Sequence, residues 1–319
     1  MSKPKQQQST SDQPGASASE TQAKGPVVGL ALGSGSARGW AHIGVIRALE
    51  KMGVRPQVVA GTSIGSLVGA AYALGQLDDF EKWVRKLSSR DVMGLMDFTL
   101  SGGFVKGERL FGVIESQHSN PEIEDLPLRY ACVATAMRSG REVWLSKGGV
   151  LDAVRASCAM PGVMAPVQLQ GEWMLDGGLV NPVPISVCRA LGADVVIAVN
   201  LNAQLIGLPL QRASRKEAEA AASAEEVTLW DRLAGYFSSG DDEAPGLFDV
   251  MGASINIMQD RITRARMAGD PAEVTLVPLL ENYGLMDFHR GAEAIAEGEA
   301  VVQRREVEIQ RWTQAGLPA

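Results

Sequence analysis

A serine between two glycines is the clearest sign of chemistry in this 319-residue sequence. Ser63 lies in a Gly-x-Ser-x-Gly pattern with Gly61 and Gly65, between a short apolar run and a helical pattern. A nucleophile elbow needs a tight strand-to-helix turn, and flanking glycines let neighbouring backbone pass closely. The helix that follows directs free N–H groups at the turn. This context predicts that Ser63 is a nucleophile for acyl transfer.

A glycine-rich loop from Gly33 to Gly39 also lies between an apolar run and a helical pattern. A dinucleotide site would need glycine at the sixth position, where Arg38 stands, and a Walker loop would need a Gly-Lys-Ser/Thr ending. An oxyanion hole needs only exposed backbone N–H groups near the nucleophile. The loop therefore fits an oxyanion hole best. Arg38 could add positive charge there or form a structural ion pair.

Asp176 ends a predicted strand and is followed by Gly177 and Gly178. Taken alone, an aspartate before two glycines is a turn signature. In a sheet that also carries Ser63, the same carboxylate could serve as a general base.

A histidine offers a rival arrangement. Ser63, Asp176 and His289 follow the chain order of an α/β-hydrolase triad. Of the other histidines, His42 fits a partly buried helix position and His118 an exposed polar stretch. The residues alone leave both arrangements open; a Ser63–Asp176 pair that works without a histidine predicts that His289→Ala stays active. It also predicts a pH profile without an acid limb near the ordinary histidine pKa of roughly 6.5.

Apolar runs of strand length alternate with helical patterns, which is typical of a parallel α/β sheet. We predict strands at 27–32, 58–60, 129–135, 142–146, 167–169, 173–175, 194–200 and 273–279. We predict helices at 43–52, 64–74, 78–89, 185–191, 248–267 and from about 290.

Composition sets outer limits on the function. The chain is 45% hydrophobic and 21% charged, as globular proteins are, and its net charge of −7 argues against nucleic-acid partners. Its three cysteines have neither zinc-site nor disulfide spacing, which favours a reducing cytoplasm. We see no metal-ligand cluster and predict no cofactor. Residues 1–25 lack the apolar region of a signal peptide and are predicted to be a disordered tail.

The stretch 56–77 carries no charge and contains a double GxxxG formed by Gly61, Gly65 and Gly69. Its length is compatible with a self-associating membrane helix. It is rich in small residues and divides naturally into strand, turn and helix, so we favour a buried position in a globular sheet.

Residues 203–246 form an acidic insert with eight acids and four bases. Ser214 and Glu217 have capping-box spacing, and an apolar face follows at 227–237. We favour packing of this face on the domain over a role as a lid or peripheral membrane contact. Residues 247–319 are expected to complete the fold.

Three motifs in order, GSGSARG at 33–39, GTSIG at 61–65 and DGG at 176–178, resemble patatin-like phospholipases, most closely their bacterial RssA-type branch. The resemblance covers 27–202 and, more loosely, 256–261 and 284–288. It implies a three-layer α/β/α fold with a mostly parallel sheet in one domain, 26–319. It also implies a Ser–Asp dyad in which Ser63 is the nucleophile and Asp176 the base, with an oxyanion hole shaped by Gly33, Ser34 and Gly35. Ser34 replaces a glycine of the family, which leaves its backbone N–H in place.

The sequence thus predicts a serine hydrolase of fatty-acyl esters of lipids: a phospholipase A, lysophospholipase or carboxylesterase. The supporting motif residues are Arg38, Gly39, Gly61, Gly65, Gly177 and Gly178. A non-catalytic regulatory or scaffold protein on the same fold is the alternative. We expect a cytoplasmic protein that could bind membranes peripherally. Head group, acyl length and oligomeric state stay open.

Overall fold

A computed structural model of the chain describes residues 25–95, 120–204 and 247–314. The predicted tail lies outside these ranges apart from Gly25, and the acidic insert apart from Ala203 and Gln204. The apolar face at 227–237 and His118 also lie outside the described residues.

The structure contains an eight-stranded mixed sheet. Its strands are β1 (Val28–Leu32), β2 (Val58–Thr62), β3 (Arg129–Ala136), β4 (Glu142–Leu145), β5 (Val167–Leu169), β6 (Glu172–Asp176), β7 (Val195–Val199) and β8 (Val274–Leu276). Five of them run parallel in the order β3-β2-β1-β7-β8. The remaining pairings, β3 with β4, β3 with β6 and β5 with β6, are antiparallel.

Helices cover both faces of the sheet. They are α1 (Ala41–Lys51), α2 (Ile64–Ala73), α3 (Leu77–Lys86), α4 (Ser89–Leu95), α5 (Val150–Ser157), α6 (Ile185–Ala190), α7 (Leu247–Gly269), α8 (Gly291–Arg304) and α9 (Glu306–Gln314).

Two apolar cores separate these layers. Side chains of α1, α2, α3, α5 and α8 pack on one face of the sheet. Helix α6 and the end of α7 pack on the other face. Strands β1, β2 and β7 are buried throughout, which explains their continuous apolar sequences. The predicted three-layer α/β/α fold is confirmed.

Three helix predictions need correction. The predicted helix 78–89 ends at Lys86, because Leu87 is extended and Ser88 with Asp91 forms a capping box that starts α4. The predicted last helix is two helices, since α8 ends at a non-helical Arg305. Helix α5 is not predicted at all: eight residues offer too few turns for periodicity to be read.

The uncharged stretch 56–77 is not a membrane helix. It forms β2, a turn at Ser63 and the ten-residue α2, all within the core of the domain. Among the described helices, none combines the length and apolarity needed to cross a bilayer.

Candidate active site

Strands β2 and β6 bring two predicted functional residues together by meeting end to end. Cys132 on β3 pairs with both β2 and β4, and Ala134 on β3 pairs with both β4 and β6. Because a strand residue has one neighbour on each side, β2 and β6 must share the edge of β3 opposite β4. Thr62 ends β2 beside Val133, and Asp176 ends β6 beside Ala134. Ser63 therefore faces Asp176 directly.

The turn at Ser63 is a strained strand-to-helix elbow. Ser63 has φ 55° and ψ −126°, a backbone conformation that side-chain-bearing residues rarely adopt. A Cβ on Gly61 would lie 2.5 Å from the carbonyl oxygen of Gly65, and one on Gly65 would lie 2.2 Å from that of Leu32. The N–H of Ser63 donates to Ser157 Oγ at 2.9 Å, which fixes the elbow against α5.

Ser63 Oγ donates a 2.5 Å hydrogen bond to Asp176 Oδ2. The other carboxylate oxygen, Oδ1, accepts the N–H of Gly178 at 2.7 Å, and the main-chain carbonyl of Asp176 accepts Thr135 Oγ1. The carboxyl group is 1% exposed, and this burial raises its pKa to about 6. Both carboxylate oxygens of Asp176 thus accept hydrogen bonds, and its pKa is well above that of an ordinary aspartate.

Neither described histidine forms part of this pair. His289 is exposed in the 3-10 turn Phe288–Arg290, and the hydrogen bond between Ser63 and Asp176 does not involve it. His42 is fully buried, and its Nε2 donates to the carbonyl of Gly33 at 2.8 Å. Burial lowers the His42 pKa to about 4, which keeps the ring neutral. Its role is to hold the glycine loop.

Two N–H groups of the glycine loop have no acceptor among the described residues, and only one of them belongs to a predicted oxyanion-hole residue. Gly33 N–H donates to Val199 O at 3.1 Å and Ser34 N–H to Pro182 O at 2.8 Å, so neither is available as an oxyanion donor. The N–H groups of Gly35 and Ser36 have no acceptor among the described residues. Gly35 thus stays a predicted donor, and Ser36 is a further candidate that the sequence analysis did not name.

Arg38 is bonded to this loop through its side chain. It is 1% exposed, its Nε donates to Gly35 O at 3.0 Å, and its Nη2 donates to Asn256 Oδ1 at 3.3 Å. The Gly35 carbonyl and the Ser36 N–H belong to one peptide plane and point in opposite directions. By holding the carbonyl, Arg38 fixes the direction of the Ser36 N–H. Burial without a carboxylate partner in the described chain lowers the Arg38 pKa to about 10.

The other motif glycines allow close packing around the two reacting side chains. A Cβ on Gly39 would lie 2.2 Å from the Ile64 side chain, and one on Gly177 would lie 2.1 Å from Val133 O. A Cβ on Gly178 would lie 2.9 Å from Asp176 Oδ1 and 2.4 Å from Gln259 Nε2. Gln259 of helix α7 therefore lies near the Asp176 carboxylate.

Gln259 and Asn202 form an amide pair that the sequence analysis did not identify as part of the site. Both are almost fully buried, and Asn202 Nδ2 donates to Gln259 Oε1 at 2.7 Å. The geometry at Gly178 places Gln259 Nε2 at most about 5.3 Å from Asp176 Oδ1, a gap that one bridging water fits. The sequence signal for Gln259 was its position in the stretch 256–261, which loosely resembles the family.

A cysteine also lies close to the nucleophile. Cys158 Sγ is 3.8 Å from Ser66 Oγ, and it lies near Asp176 and Ser63. Burial and the Asp176 charge raise the pKa of this thiol, so it stays protonated. Cys158 is therefore not a competing nucleophile.

Comparison with known proteins identifies the family of this chain. The patatin-like phospholipase profile matches residues 30–189. An uncharacterized NTE family protein of Mycobacterium tuberculosis strain H37Rv is 34% identical, over 86% of this chain and 90% of its own length. The relatives carry the NTE name; the RssA-type branch stays a prediction.

A lysophospholipase, nte1, of Aspergillus fumigatus is 35% identical over 86% of this chain, which spans only 18% of that longer protein. Among solved structures, VipD from Legionella pneumophila aligns with 92% of this chain and 77% of its own, at 12% identity and a TM-score of 0.43. The profile match and the mycobacterial relative, together with the α/β/α layers of the structure, establish that this chain belongs to the patatin-like phospholipase family.

Proposed function

We propose that the protein is a serine acyl hydrolase that cleaves fatty-acyl esters of lipids through a Ser63–Asp176 dyad. The observation that carries the proposal is the direct 2.5 Å hydrogen bond between Ser63 Oγ and Asp176 Oδ2, in a buried elbow with no histidine between them. Family membership and the lysophospholipase relatives support a lipid ester as the substrate.

Acylation begins with attack of Ser63 Oγ on the ester carbonyl. Asp176 accepts the hydroxyl proton, and that proton passes to the departing alcohol. The free N–H groups of Gly35 and Ser36 donate to the carbonyl oxygen as it becomes negative, and Arg38 keeps the Ser36 donor aligned. The products of this step are the alcohol and an acyl ester on Ser63.

Deacylation uses the same base on a water molecule. Once Ser63 is acylated it no longer donates to Asp176, and a water takes its place as the proton donor to the carboxylate. Gln259 Nε2 lies close enough to Asp176 Oδ1 for a water to bridge them, and Asn202 Nδ2 donates to the oxygen of the same amide. Gln259 therefore helps to hold water at the base, and hydrolysis of the acyl-enzyme releases the fatty acid.

The non-catalytic alternative keeps the fold and lacks turnover. The orientation of both Asp176 oxygens, the strained Ser63 and the free donors of the glycine loop argue against it, since packing alone requires none of them. We also propose that residues 26–319 form one hydrolase domain, because β8 extends the same sheet and α8 packs on its core.

Fatty-acid release from phosphatidylcholine, lysophosphatidylcholine and a short-chain p-nitrophenyl ester tests the proposal. Purified protein is compared with Ser63→Ala, which keeps the fold and removes the nucleophile. We expect release that vanishes in Ser63→Ala, with the ranking of the three substrates fixing the class. Equal release by both proteins, or none by either, would reject the proposed activity.

The pH profile should show one acid limb that belongs to Asp176. Because the base works only when ionised and its pKa is raised to about 6, kcat/KM is expected to fall as the pH drops through 6. This prediction replaces the expectation from the sequence that a dyad lacks an acid limb near 6.5. Stopped assays of the short-chain ester from pH 4.5 to 9 measure the limb. His289→Ala should leave it unchanged; its disappearance in that variant would assign it to the histidine.

Replacing Gln259 should slow deacylation more than acylation. In Gln259→Leu the side chain keeps its approximate volume but loses the amide, so we expect a kcat lowered by about tenfold or more and an initial burst of p-nitrophenol as acyl-enzyme accumulates. Gln259→Glu should restore little, since a second carboxylate beside Asp176 repels it. Parallel loss of kcat and burst amplitude would assign Gln259 to packing instead.

A further inference from the structure

Two apolar side chains lie side by side at the far end of β6. The ladder between β3 and β6 pairs Ala136 with Met174, and the N–H of Met137 continues it by donating to Trp173 O at 2.8 Å. Met137 and Trp173 are thus directly opposed on one face of the sheet. They are 55% and 51% exposed, which is unusual for side chains of this kind.

A second tryptophan extends the same surface. Trp144 lies opposite Val133, so its side chain is on the face of β3 that also carries Thr135 and Met137. It is 45% exposed. We name this set, Met137, Trp144 and Trp173, the hairpin surface.

Two arginines and two glutamates flank the hairpin surface. Arg138 and Arg141 are exposed in the turn that joins β3 to β4, and within the described residues neither pairs with a carboxylate. Glu142, on the same face, accepts hydrogen bonds from Arg266, Asn181 and the indole N–H of Trp144, and Glu172 is the residue before Trp173. Exposed tryptophan beside unpaired arginine suits the boundary between lipid head groups and acyl chains.

The hairpin surface shares strand β6 with Asp176. Trp173 is three residues from Asp176, a span of about 10 Å along the strand. Because side chains alternate between the two faces of a sheet, Trp173 and Asp176 point to opposite faces. The hairpin surface is therefore a neighbour of the candidate site on the same strand and does not line it.

We propose that the hairpin surface, with Arg138 and Arg141, docks the protein on anionic phospholipid bilayers. The choice of a phospholipid bilayer as the binding partner rests on the proposed lipid hydrolase function. Binding to the bilayer can be measured without turnover. Trp173 and Met137 enter the head-group region while the two arginines contact lipid phosphates.

Vesicle binding by the Ser63→Ala protein tests this assignment without hydrolysis. Co-sedimentation uses sucrose-loaded vesicles of phosphatidylcholine with phosphatidylglycerol, and of phosphatidylcholine alone. Adding Met137→Ser and Trp173→Ser together should weaken binding to the mixed vesicles about tenfold or more, through lost apolar burial. Adding Arg138→Gln and Arg141→Gln should weaken it by a similar factor on mixed vesicles and little on phosphatidylcholine alone.

Two matched variants show whether any exposed apolar residue has the same effect. Val307→Ser on α9 and Ile257→Ser on α7 remove side chains that are 83% and 50% exposed, and both should bind vesicles like the parent. Equal losses in these variants, unchanged binding in the Met137/Trp173 variant, or no vesicle binding by the parent would overturn the proposal. A concentration-dependent dimer abolished by Trp173→Ser would reassign the surface to a second copy of the chain.

Hydrolysis of the short-chain ester, measured with Ser63 intact, keeps this test independent of the catalytic proposal. We expect the Met137/Trp173 variant to retain that activity in full. Ester hydrolysis absent from every protein, with vesicle binding that still depends on Trp173, would reject the proposed enzyme and leave the surface standing.

Discussion

Asp176→Asn should lose about 10⁴-fold in turnover, the upper end of general-base effects, because Asp176 contacts the nucleophile directly. The amide is similar in shape but cannot accept the Ser63 proton. Steady-state hydrolysis of a short-chain ester measures the loss. His289→Ala is the matched control and should keep nearly full activity, since that ring is exposed and takes no part in the Ser63–Asp176 pair. The reverse pattern would establish the triad.

Asp176→Asn should also stabilise the fold. A variant that is inactive but more stable has lost the base and has kept its structure. The pKa of Asp176 is about 6 in the folded protein against an ordinary 3.8, so the folded state holds the proton more tightly. Its contribution to stability is present below pH 4 and is lost as the pH rises through 6. Asp176→Asn should therefore raise the unfolding free energy at pH 8 by up to about 3 kcal/mol, with little gain at pH 4. A lower melting temperature at pH 8 would contradict this.

Gly65→Ala should be among the most damaging single-methyl changes in the protein. Its Cβ would lie 2.2 Å from Leu32 O and 2.8 Å from Gly33 O, so α2 would have to move off β1 and carry the elbow with it. Helix propensity favours alanine by about 1 kcal/mol, but backbone overpacking costs about 3 kcal/mol or more and outweighs it. Denaturant unfolding should show the net loss, together with loss of ester hydrolysis.

Gly69→Ala, one turn later on the same helix, is the matched comparison. The nearest atom to its Cβ would be Val59 Cγ1 at 3.0 Å, the end of a side chain that can adjust. We expect an unfolding free energy close to that of the parent and retained activity. Equal destabilisation by both variants would show that the Gly61, Gly65 and Gly69 series serves general helix packing and not the elbow.

Much of this site could be predicted because its parts are local in sequence. The elbow at Ser63 requires glycine at 61 and 65 for backbone reasons alone, and such requirements are visible as residue types. The strands β1, β2 and β7 are buried on both faces, so their sequences are apolar apart from Thr62 at the end of β2, and the sequence reveals them directly. The DGG motif likewise reflects contacts made within two residues of Asp176.

The parts that could not be predicted depend on contacts between distant segments. Whether a loop N–H is free is decided by its partners: Val199 and Pro182 use those of Gly33 and Ser34, which leaves Gly35 and Ser36. Gln259 lies near Asp176 only because α7 packs against the turn Gly177–Leu179. The acidity of Asp176 follows from burial, which a turn-like sequence does not indicate. Short α5 lacks the length for a periodic pattern.

Labelling with a fluorophosphonate probe tests the central claim, that Asp176 activates Ser63 without a histidine, most directly. Intact mass spectrometry and peptide mapping would follow the protein, Ser63→Ala, Asp176→Asn and His289→Ala at pH 8. We predict a single adduct on Ser63 in the unsubstituted protein, formed at the same rate in His289→Ala, and none in the other two variants over the same time. An adduct on another residue, or labelling of Asp176→Asn as fast as that of the parent, would contradict the account.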